Sequence, residues 1–385
     1  MSSRISRRKF IKDIAQKGTA IAIGAKAISD FSWAENVYTD HSIIETSSLK
    51  EAMFYKKHEG VMIQCLLEPR SCIVNNWERG YCGSRENRDG KYYSIVYSRP
   101  SAVYTEAIET DHFFHIRPGE QFFGLGTAGC NLGCKFCETW HLSQVRPEET
   151  EIQNLSPDDA IRQAKNKSVK MINFTYNDPV ICYEYVLETA KIAKENGFLT
   201  LCHTAGYINE EPLKTLLKYI DAVNIDLKAF REEYYTKFCG VNLETVLNTL
   251  KTIKREKVFL EVTNLIVTGN NDTKDEITDM VNWIADNLGN DVPLHFSRFF
   301  PNYQLTELSA TPEETLEMAY EIAKSKGLKY VYIDNVPGHK YESTYCPKCG
   351  TKLINRNGTD VTILDIDKNG VCKKCGCKLS GIWGD

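Results

Sequence analysis

Residues 126–140 read GTAGCNLGCKFCETW, a stretch with three cysteines in the spacing C-x3-C-x2-C. The cysteines are Cys130, Cys134 and Cys137. Cysteine thiolates hold iron–sulfur clusters, and a four-iron cluster needs one ligand for each iron. Three neighbouring cysteines would therefore leave one iron open to an outside ligand. The spacing alone also allows a site that a distant cysteine or histidine completes, such as structural zinc.

The chain around this stretch alternates short apolar runs with helical patterns, from about residue 120 to 335. In the helical patterns apolar residues recur at spacings of three and four, and Gly197 and Gly327 stand where helices end before a strand. Such alternation is typical of a parallel α/β sheet, which can close fully or partly into a barrel. The predicted strands lie in EQFFGLGT, VKMINFTY, FLTLCHT, IDAVNIDLKA, KVFLEVTNLIV, VPLHFSRF and LKYVYIDNV.

Polar residues stand at or just past the ends of these strands. The carboxyl ends of parallel strands meet at one edge of the sheet, where ligands bind. Ordinary solvation of strand ends explains some of these residues, but burying so many polar side chains for packing alone would be unfavourable. We therefore expect a shared pocket. The residues are Asn177, Asp178, His203, Thr204, Asp226, Lys228, Thr263, Asn264, His295 and Arg298.

The cysteine stretch resembles that of the radical S-adenosylmethionine (SAM) superfamily. The resemblance rests on the spacing, on the position after a first barrel strand and on Phe136 just before the last cysteine. FTYNDP at 174–179 resembles the TYNEP segment of enzymes related to the pyruvate formate-lyase activating enzyme, with Asp178 in place of the usual glutamate. NIDLKAF at 224–230 resembles their DLK strand, and LIVTGNND and LHFSRFFP match later strands.

The resemblance implies a partial (βα)6-type barrel and a [4Fe–4S] cluster on the three cysteines. The open iron would chelate SAM, and one electron would split SAM to a 5′-deoxyadenosyl radical that abstracts hydrogen from a substrate. This chemistry belongs to the cofactors, while the protein positions them. An electron donor such as flavodoxin or ferredoxin is implied as a partner. The implied SAM-binding residues are Phe136, Asn177, Asp178, Asp226, Lys228, Asn264 and His295.

A closer resemblance is to the AmmeMemoRadiSam enzymes, through CLLEPRSC and GYCGSRENRDGKYYSIVY near the start, the cysteine stretch, and a C-terminal ribbon. The chain also departs from their pattern. Glu68 and Arg70 replace a cysteine and a histidine, IETDHFFHI at 108–116 replaces IEKKPLYHF, and HTAG at 203–206 replaces TNG. These departures are expected around the pocket mouth, so we expect the substrate or partner to differ from that of relatives.

Two further groups of cysteines are candidate metal sites. The spacing C-x2-C-x22-C-x2-C closes a four-thiolate tetrahedral site, which predicts zinc, with a rubredoxin-like iron or an auxiliary cluster as alternatives. These ligands are Cys346, Cys349, Cys372 and Cys375. Nearer the N-terminus, Cys65, Cys72 and Cys82 could bind zinc or a second cluster with Glu68 as fourth ligand. Two of them could instead form a disulfide in an exported protein, or all three could be structural thiols. We predict the metal site.

The N-terminus carries SRRKFIK at residues 6–12, which resembles a twin-arginine signal. Such signals are read by a receptor and route folded proteins across a membrane. A protein that must acquire its cluster before export would need such a route. We predict export, with a periplasmic or membrane-associated location. The alternative is an amphipathic surface helix on a cytoplasmic protein.

Composition limits the remaining choices. The 385 residues are 42% apolar and 25% charged, as in globular proteins, and the net charge of −4 gives no general attraction to nucleic acid. No apolar run reaches the ~18–20 residues of a membrane span. We predict a signal-like segment (1–35), a cysteine-containing segment (55–117), a barrel (118–340) and a zinc-ribbon-like module (341–385).

We predict a radical SAM enzyme whose substrate is a small molecule or a protein, in the latter case a glycine as for activating enzymes. The alternative is a non-catalytic, exported redox scaffold that binds an iron–sulfur cluster and zinc. Under that alternative, the position of Asp178, Asp226 and Lys228 at strand ends would be a coincidence.

Overall fold

The computed structural model describes residues 49–384, so the predicted signal-like segment lies outside the described residues. The described chain begins with two small antiparallel sheets, of order β1-β6-β5 and β2-β3-β4. Their strands are β1 (Lys50–Glu51), β2 (Tyr55–Lys57), β3 (Ile63–Cys65), β4 (Ile73–Val74), β5 (Arg85–Arg88) and β6 (Lys91–Ser94).

An eight-stranded sheet forms the centre of residues 49–384, in the order β14-β13-β12-β11-β10-β9-β8-β7. Strands β8 to β14 are parallel, and β7 pairs antiparallel with β8. The two edge strands do not pair with each other in the described chain, so the sheet forms a partial barrel, as predicted. The strands are β7 (Ala102–Ala107), β8 (Gln121–Gly126), β9 (Met171–Phe174), β10 (Leu199–Thr204), β11 (Ala222–Asp226), β12 (Phe259–Ile266), β13 (Leu294–Arg298) and β14 (Val331–Asp334).

Helices connect the parallel strands. Two of these helices, for example, begin with a side-chain N-cap: Asn242 accepts a hydrogen bond from the Thr245 N–H, and Thr273 accepts one from the Glu276 N–H. Gly197 lies just past a helix at φ +76°, the left-handed conformation that glycine adopts most easily. The helices are α1 (Trp140–Ser143), α2 (Pro157–Asn166), α3 (Tyr183–Glu195), α4 (Glu210–Leu217), α5 (Glu232–Tyr234), α6 (Leu243–Arg255), α7 (Lys274–Asn287) and α8 (Glu313–Ser325).

Residues 108–117, between β7 and β8, fill the amino-terminal end of the barrel, and we call them the barrel plug. Ile108, Phe113 and Ile116 are fully buried, in one cluster with residues of β8 to β11. The carboxylate of Glu261 on β12 accepts hydrogen bonds from two plug N–H groups, at 3.1 and 2.9 Å. The barrel sheet also includes β7, although its residues fall within the predicted cysteine-containing segment (55–117) and precede the predicted barrel (118–340).

The C-terminal module is a three-stranded antiparallel sheet of β15 (Thr344–Tyr345), β16 (Lys352–Asn357) and β17 (Asp360–Ile363). It is fastened to the barrel plug. Arg356 is fully buried, donates to the Phe114 carbonyl at 2.7 Å and lies 3.5 Å from the Glu109 carboxylate. The module therefore lies at the end of the barrel opposite the carboxyl ends of the strands. Among residues 49–384, no helix has both the length and the apolar character to cross a membrane.

Candidate active site

The cysteine loop, residues 127–139, follows β8 and is held by backbone contacts. Gly129 has φ +94°, and a Cβ there would lie only 2.3 Å from the Cys82 carbonyl oxygen, so glycine is required. Asn177 accepts from the Thr127 N–H at 3.1 Å and donates to the Gly129 carbonyl at 2.8 Å. Asn177, predicted to bind the cofactor, therefore also clamps the loop.

The three thiols of this loop all have pKa values above that of an ordinary cysteine. Burial raises the pKa of Cys130 and Cys137. A hydrogen bond with Cys239, together with burial, raises the pKa of Cys134 well above its usual range. Bound metal deprotonates coordinating thiols outright, so these cysteines fit a cluster that brings its own positive charge.

Asp178 lies beside the loop at the start of a 3-10 turn, Pro179–Cys182, and is buried. Its carboxylate accepts from the Val180 N–H at 3.0 Å, the Thr204 hydroxyl at 2.9 Å and the Ala205 N–H at 3.0 Å. A carboxylate has about four acceptor positions, so one more donor can be accommodated. Burial raises the pKa of Asp178 against these hydrogen bonds.

A row of alternating charges extends from the cysteine loop into the barrel. Lys228 Nζ lies 5.6 Å from the Phe136 ring centroid and donates to Asp226 at 2.9 Å. His203 lies between two carboxylates, with Nε2 3.1 Å from Asp226 and Nδ1 3.0 Å from Asp111. Burial would lower the pKa of His203, but Asp111 and Asp226 raise it to about 10, so the imidazole is cationic at neutral pH.

The other charges of the row are fixed by the same contacts. Burial would lower the pKa of Lys228, but Asp226 and then the thiols of Cys134 and Cys239 raise it well above its usual range. Despite burial, Lys228 and His203 hold the pKa of Asp226 well below its usual range. The pocket therefore keeps its charges across the physiological pH range.

The tip of the barrel plug forms the floor of this pocket. His112 Nδ1 is paired with the Asp334 carboxylate at the end of β14, and its ring centroid lies 5.8 Å from that of His203. The His112 side chain is 20% exposed, and its Nε2 makes no hydrogen bond to the described residues. A carboxylate that orients one ring nitrogen leaves the other free to meet a ligand.

Two further predicted residues differ in their surroundings. Asn264 donates to the Leu227 carbonyl at 2.7 Å, and its buried Oδ1 has no hydrogen-bond partner among the described residues. That unpaired acceptor fits a site for the hydroxyl groups of a ribose. His295 is fully buried below the pocket, with Nε2 2.7 Å from Glu261 and its ring against Phe114. The structure therefore does not bring His295 to the pocket surface.

The N-terminal cysteines lie against the cysteine loop. The Cys65 N–H donates to the Cys72 carbonyl at 2.9 Å across neighbouring strands, and Arg70 donates to the Asn131 carbonyl of the loop at 3.0 Å. Burial raises the pKa of the Cys82 thiol to about 12 and that of the Glu68 carboxyl to about 7. A metal at these residues remains a prediction.

The four C-terminal cysteines converge as predicted. The Cys346 and Cys375 sulfurs are 3.5 Å apart, and those of Cys349 and Cys372 are 3.8 Å apart. Zinc–sulfur bonds of about 2.3 Å in a tetrahedron place the sulfurs about 3.8 Å apart, so the set fits zinc. Within residues 49–384 it is the one group of three or more such ligands whose atoms all lie within 4.8 Å. Neither the thiols of the cysteine loop nor those of Cys65, Cys72 and Cys82 lie as close together as this set.

The chain is similar in sequence to known proteins and to a known family. An uncharacterized protein of Methanocaldococcus jannaschii is 42% identical over 332 residues, which cover 86% of this chain and 99% of that protein. The family model described as the radical SAM superfamily matches residues 125–284, from the end of β8 to α7. The chain belongs to the radical SAM superfamily. The predicted superfamily is therefore confirmed, and with it an enzyme for which the superfamily implies a [4Fe–4S] cluster and SAM.

A curated protein and a solved structure are also similar to this chain. The pyruvate formate-lyase-activating enzyme of Clostridium pasteurianum is 25% identical over 159 residues, 40% of this chain and 66% of that protein. A crystal structure of a radical SAM methyltransferase from Sphaerobacter thermophilus aligns with a TM-score of 0.46 and 13% identity. The alignment covers 74% of this chain and 76% of that one.

Sequence reasoning missed the floor of the pocket. Asp111 and His112 come from the barrel plug and Asp334 from β14, and nothing in the local pattern places them together. The signal that could have found them was the departure from the family pattern at 108–116 and at 203–206, because the two departures meet at His203.

Proposed function

We propose that this enzyme holds a [4Fe–4S] cluster on Cys130, Cys134 and Cys137 and binds SAM between the cluster and the Asp226–Lys228 pair. The observation that supports this most directly is the convergence of the cysteine loop with Lys228, whose ammonium lies 5.6 Å from the Phe136 ring. When bound, the two cofactors would supply a 5′-deoxyadenosyl radical for hydrogen abstraction from a substrate.

The chain's own residues would orient SAM. The cationic Lys228 and the paired Asp226 present one positive and one negative group beside the loop, which suits the carboxylate and amino group of a zwitterion. Asp178 has one acceptor position left for a donor, and the unpaired Oδ1 of Asn264 can accept from a hydroxyl group. His295, buried beneath the pocket, would act only through neighbouring groups.

The pocket floor favours a polar substrate. His112, Asp334 and His203 surround the space above the barrel plug, and the free Nε2 of His112 offers one directed hydrogen bond. A protein glycine is the second candidate, because β7 and β14 do not pair within the described chain and leave an opening for a polypeptide loop. A low-potential carrier such as flavodoxin or ferredoxin would supply the electron.

Three further predictions belong to this proposal. The C-terminal tetrad would bind zinc, and Cys65, Cys72 and Cys82 with Glu68 would form a second metal site. The segment 1–35 would direct export by the twin-arginine route. Metal analysis of the purified protein tests the first two, and cell fractionation of the full chain against its Arg8→Lys variant tests the third.

SAM cleavage tests the proposed function. Reconstituted protein with dithionite and SAM under anaerobic conditions should form 5′-deoxyadenosine, measured by liquid chromatography. Cys130→Ala, Cys134→Ala and Cys137→Ala should each abolish the product. Cys377→Ser, a change outside both metal-ligand sets, should retain it. A wild-type protein with a full cluster that forms no more product than cluster-free protein would contradict the proposal.

A further inference from the structure

A cationic and aromatic surface lies against the cysteine loop next to Cys134. Lys135 directly follows this predicted ligand, and its Nζ lies 5.6 Å from the Phe238 ring centroid. The Nζ of Lys237 lies 5.1 Å from the centroid of the same ring. Both distances are within the range of a cation–π interaction. Two ammonium groups therefore flank one aromatic ring beside the loop.

Hydrogen bonds hold the backbone of this ring against the loop. Phe238 lies in a π-helical turn, Tyr235–Cys239, which directly follows α5. The Lys135 N–H donates to the Phe238 carbonyl at 2.9 Å, and the Gly133 N–H donates to the Cys239 carbonyl at 2.9 Å. Carbonyls at a helix end need a donor from outside the helix, and here the loop supplies two. The turn and the loop therefore keep a fixed position relative to each other.

A second ring extends this surface on the side of the N-terminal segment. Tyr81 is 52% exposed, and the guanidinium carbon of Arg70 lies 3.7 Å from its ring centroid. Arg70 donates to the Asn131 carbonyl of the loop and to the Gly240 carbonyl just past the π-helical turn, both at 3.0 Å. A Cβ at Gly133 would lie 2.8 Å from the Tyr81 hydroxyl oxygen, so the tyrosine rests on the loop. We call Arg70, Tyr81, Lys135, Lys237 and Phe238 the cationic face.

The charges of the two lysines in the cationic face are not neutralised by a neighbour. Within the described chain, neither Lys135 nor Lys237 forms an ion pair, whereas Arg70 lies 4.0 Å from the buried Glu68 carboxylate. Uncompensated cations at a surface attract partners with negative surfaces and raise their association rates. The cationic face therefore suits a protein that carries clustered carboxylates.

The position of the cationic face indicates what such a partner would do. In the cysteine loop, Phe136 contacts the pocket residue Lys228, whereas the next residue back, Lys135, contacts Phe238 on the turn. None of the proposed SAM-binding residues belongs to the cationic face. A substrate has to enter the pocket, but an electron has to reach only the cluster. The face therefore offers a route to the cluster that involves no pocket residue.

We propose that the cationic face docks an acidic electron-carrier protein, which passes one electron to the cluster. The inference rests on the proposed function, in which Cys134 is a cluster ligand. In this step the carrier loses one electron and the cluster gains it, with no bond made or broken. Electron-transfer complexes are weak and bury little surface, so a small charged face is sufficient. Carboxylates around the redox centre of the carrier pair with Lys135 and Lys237.

The test is the formation of 5′-deoxyadenosine by reconstituted protein, with iron content measured for every sample. Photoreduced flavodoxin, an acidic carrier, supplies the electron at a series of concentrations, and excess dithionite, which needs no protein docking, supplies it in parallel. The variant is Lys237→Glu, a change outside the cysteine loop. Lys329→Glu is the matched control, because Lys329 is also exposed but precedes β14 at the opposite end of the barrel.

We expect Lys237→Glu to raise the KM for flavodoxin about tenfold, because repulsion replaces attraction in the encounter complex, and to leave the dithionite rate unchanged. Lys329→Glu should equal the wild type with both donors. An increase in ionic strength from about 0.05 to about 0.5 M should raise the wild-type KM, because salt screens exposed charges. Equal KM values for the wild type and Lys237→Glu, at equal iron content, would overturn the inference.

A loss of iron or of dithionite-driven activity in Lys237→Glu would shift the comparison to Lys237→Gln, which removes the charge without adding another. A KM above that of the wild type supports the inference, and an equal KM overturns it. Turnover with dithionite but with neither flavodoxin nor a ferredoxin would overturn the inference and leave the proposed function intact. The absence of product with every donor, from wild-type protein with a full cluster, would instead overturn the proposed function.

Discussion

The side chain of Arg85 joins the N-terminal segment to the barrel. The side chain is 1% exposed, donates to the Glu184 carboxylate on α3 at 2.5 Å and to the Ile181 carbonyl at 3.1 Å. Removing one partner of a buried ion pair leaves an uncompensated charge, which destabilises a protein by about 3–5 kcal/mol. We expect Arg85→Ala to lower the free energy of unfolding by that amount, as measured by chemical denaturation.

The half-exposed pair of Lys50 and Glu188, at 2.8 Å, is the control for this substitution. An exposed ion pair contributes at most about 1 kcal/mol, so Lys50→Ala should have little effect. A similar loss of stability for both substitutions would contradict the burial argument.

His203 makes the stability of the pocket depend on pH. Its pKa of about 10 in the folded protein exceeds the ordinary value of about 6.5. The folded state therefore binds one proton more than the unfolded state between these values. The stabilisation is complete below about pH 6.5 and is lost as pH rises through about 10.

We therefore expect wild-type stability to fall more steeply with pH than that of His203→Gln. The excess is at most about 2–3 kcal/mol between pH 7 and pH 9. Denaturation curves of both proteins at the two pH values measure it. Parallel pH profiles would show that His203 is not held as a cation.

For individual residues, the sequence predicted the chemistry of a side chain better than it predicted the contacts that the side chain makes. Cysteine spacing predicted that the four C-terminal cysteines converge, as they do, and the loop cysteines remain predicted cluster ligands. Asn177 remains a predicted cofactor ligand, and the sequence did not predict its hydrogen bond to the Gly129 carbonyl. His295 follows a strand pattern that does not distinguish a pocket residue from one buried beneath it.

The cysteine loop can lie against the N-terminal segment because residue 129 is glycine. A Cβ at this position would be 2.3 Å from the Cys82 carbonyl oxygen, and that backbone atom cannot easily move. We expect Gly129→Ala to displace the loop and to reduce bound iron to less than half of the about four atoms of a full cluster. Iron analysis after reconstitution measures this.

Gly197→Ala is the matched control, because Gly197 also has positive φ but no atom lies within 4 Å of its ideal Cβ position. Alanine there should lower stability by about 1–2 kcal/mol and leave the iron content unchanged. Equal iron content in both variants would argue against the close approach at Gly129.

The parallel strands and their helices were predictable as elements, because apolar runs and helical periodicity are local properties. The plug and the π-helical turn at Tyr235–Cys239 were not. Buried plug residues such as Phe113 resemble any short apolar segment, and only tertiary contacts place them inside the barrel. The sequence of the π-helical turn is compatible with an ordinary α-helix, although two of its carbonyls accept hydrogen bonds from the cysteine loop.

The proposed zinc site of the C-terminal module would connect metal binding to the stability of the barrel. The module contacts the plug through Arg356. At its end, the Arg117 N–H donates to the Ile382 carbonyl at 2.8 Å, and the Ile382 N–H donates to the His115 carbonyl at 2.8 Å. Structural zinc contributes directly to folding free energy. Loss of the metal should therefore loosen the amino-terminal end of the barrel.

We expect Cys349→Ser to lose zinc and to increase amide hydrogen exchange in residues 108–117, while exchange in α7 stays the same. Cys377→Ser, outside the tetrad, should keep about one zinc per chain and wild-type exchange. Unchanged exchange of the plug in zinc-free protein would show that the module does not support the barrel.

The arrangement of the whole molecule was predictable in its order of parts but not in their contacts. The C-terminal cysteines predicted a metal module, yet only the structure shows that it lies at the end of the barrel opposite the pocket. Long-range contacts such as that of Arg356 with Phe114 leave no trace in local periodicity.

We propose that Cys130, Cys134 and Cys137 hold a cluster whose open iron meets SAM. The most direct measurement is electron paramagnetic resonance of anaerobically reconstituted, dithionite-reduced protein, with and without SAM. We expect a reduced [4Fe–4S] signal that changes shape and position when SAM is added and that is absent from Cys134→Ala. A cluster signal that SAM leaves unchanged, or no signal after reconstitution, would contradict the claim.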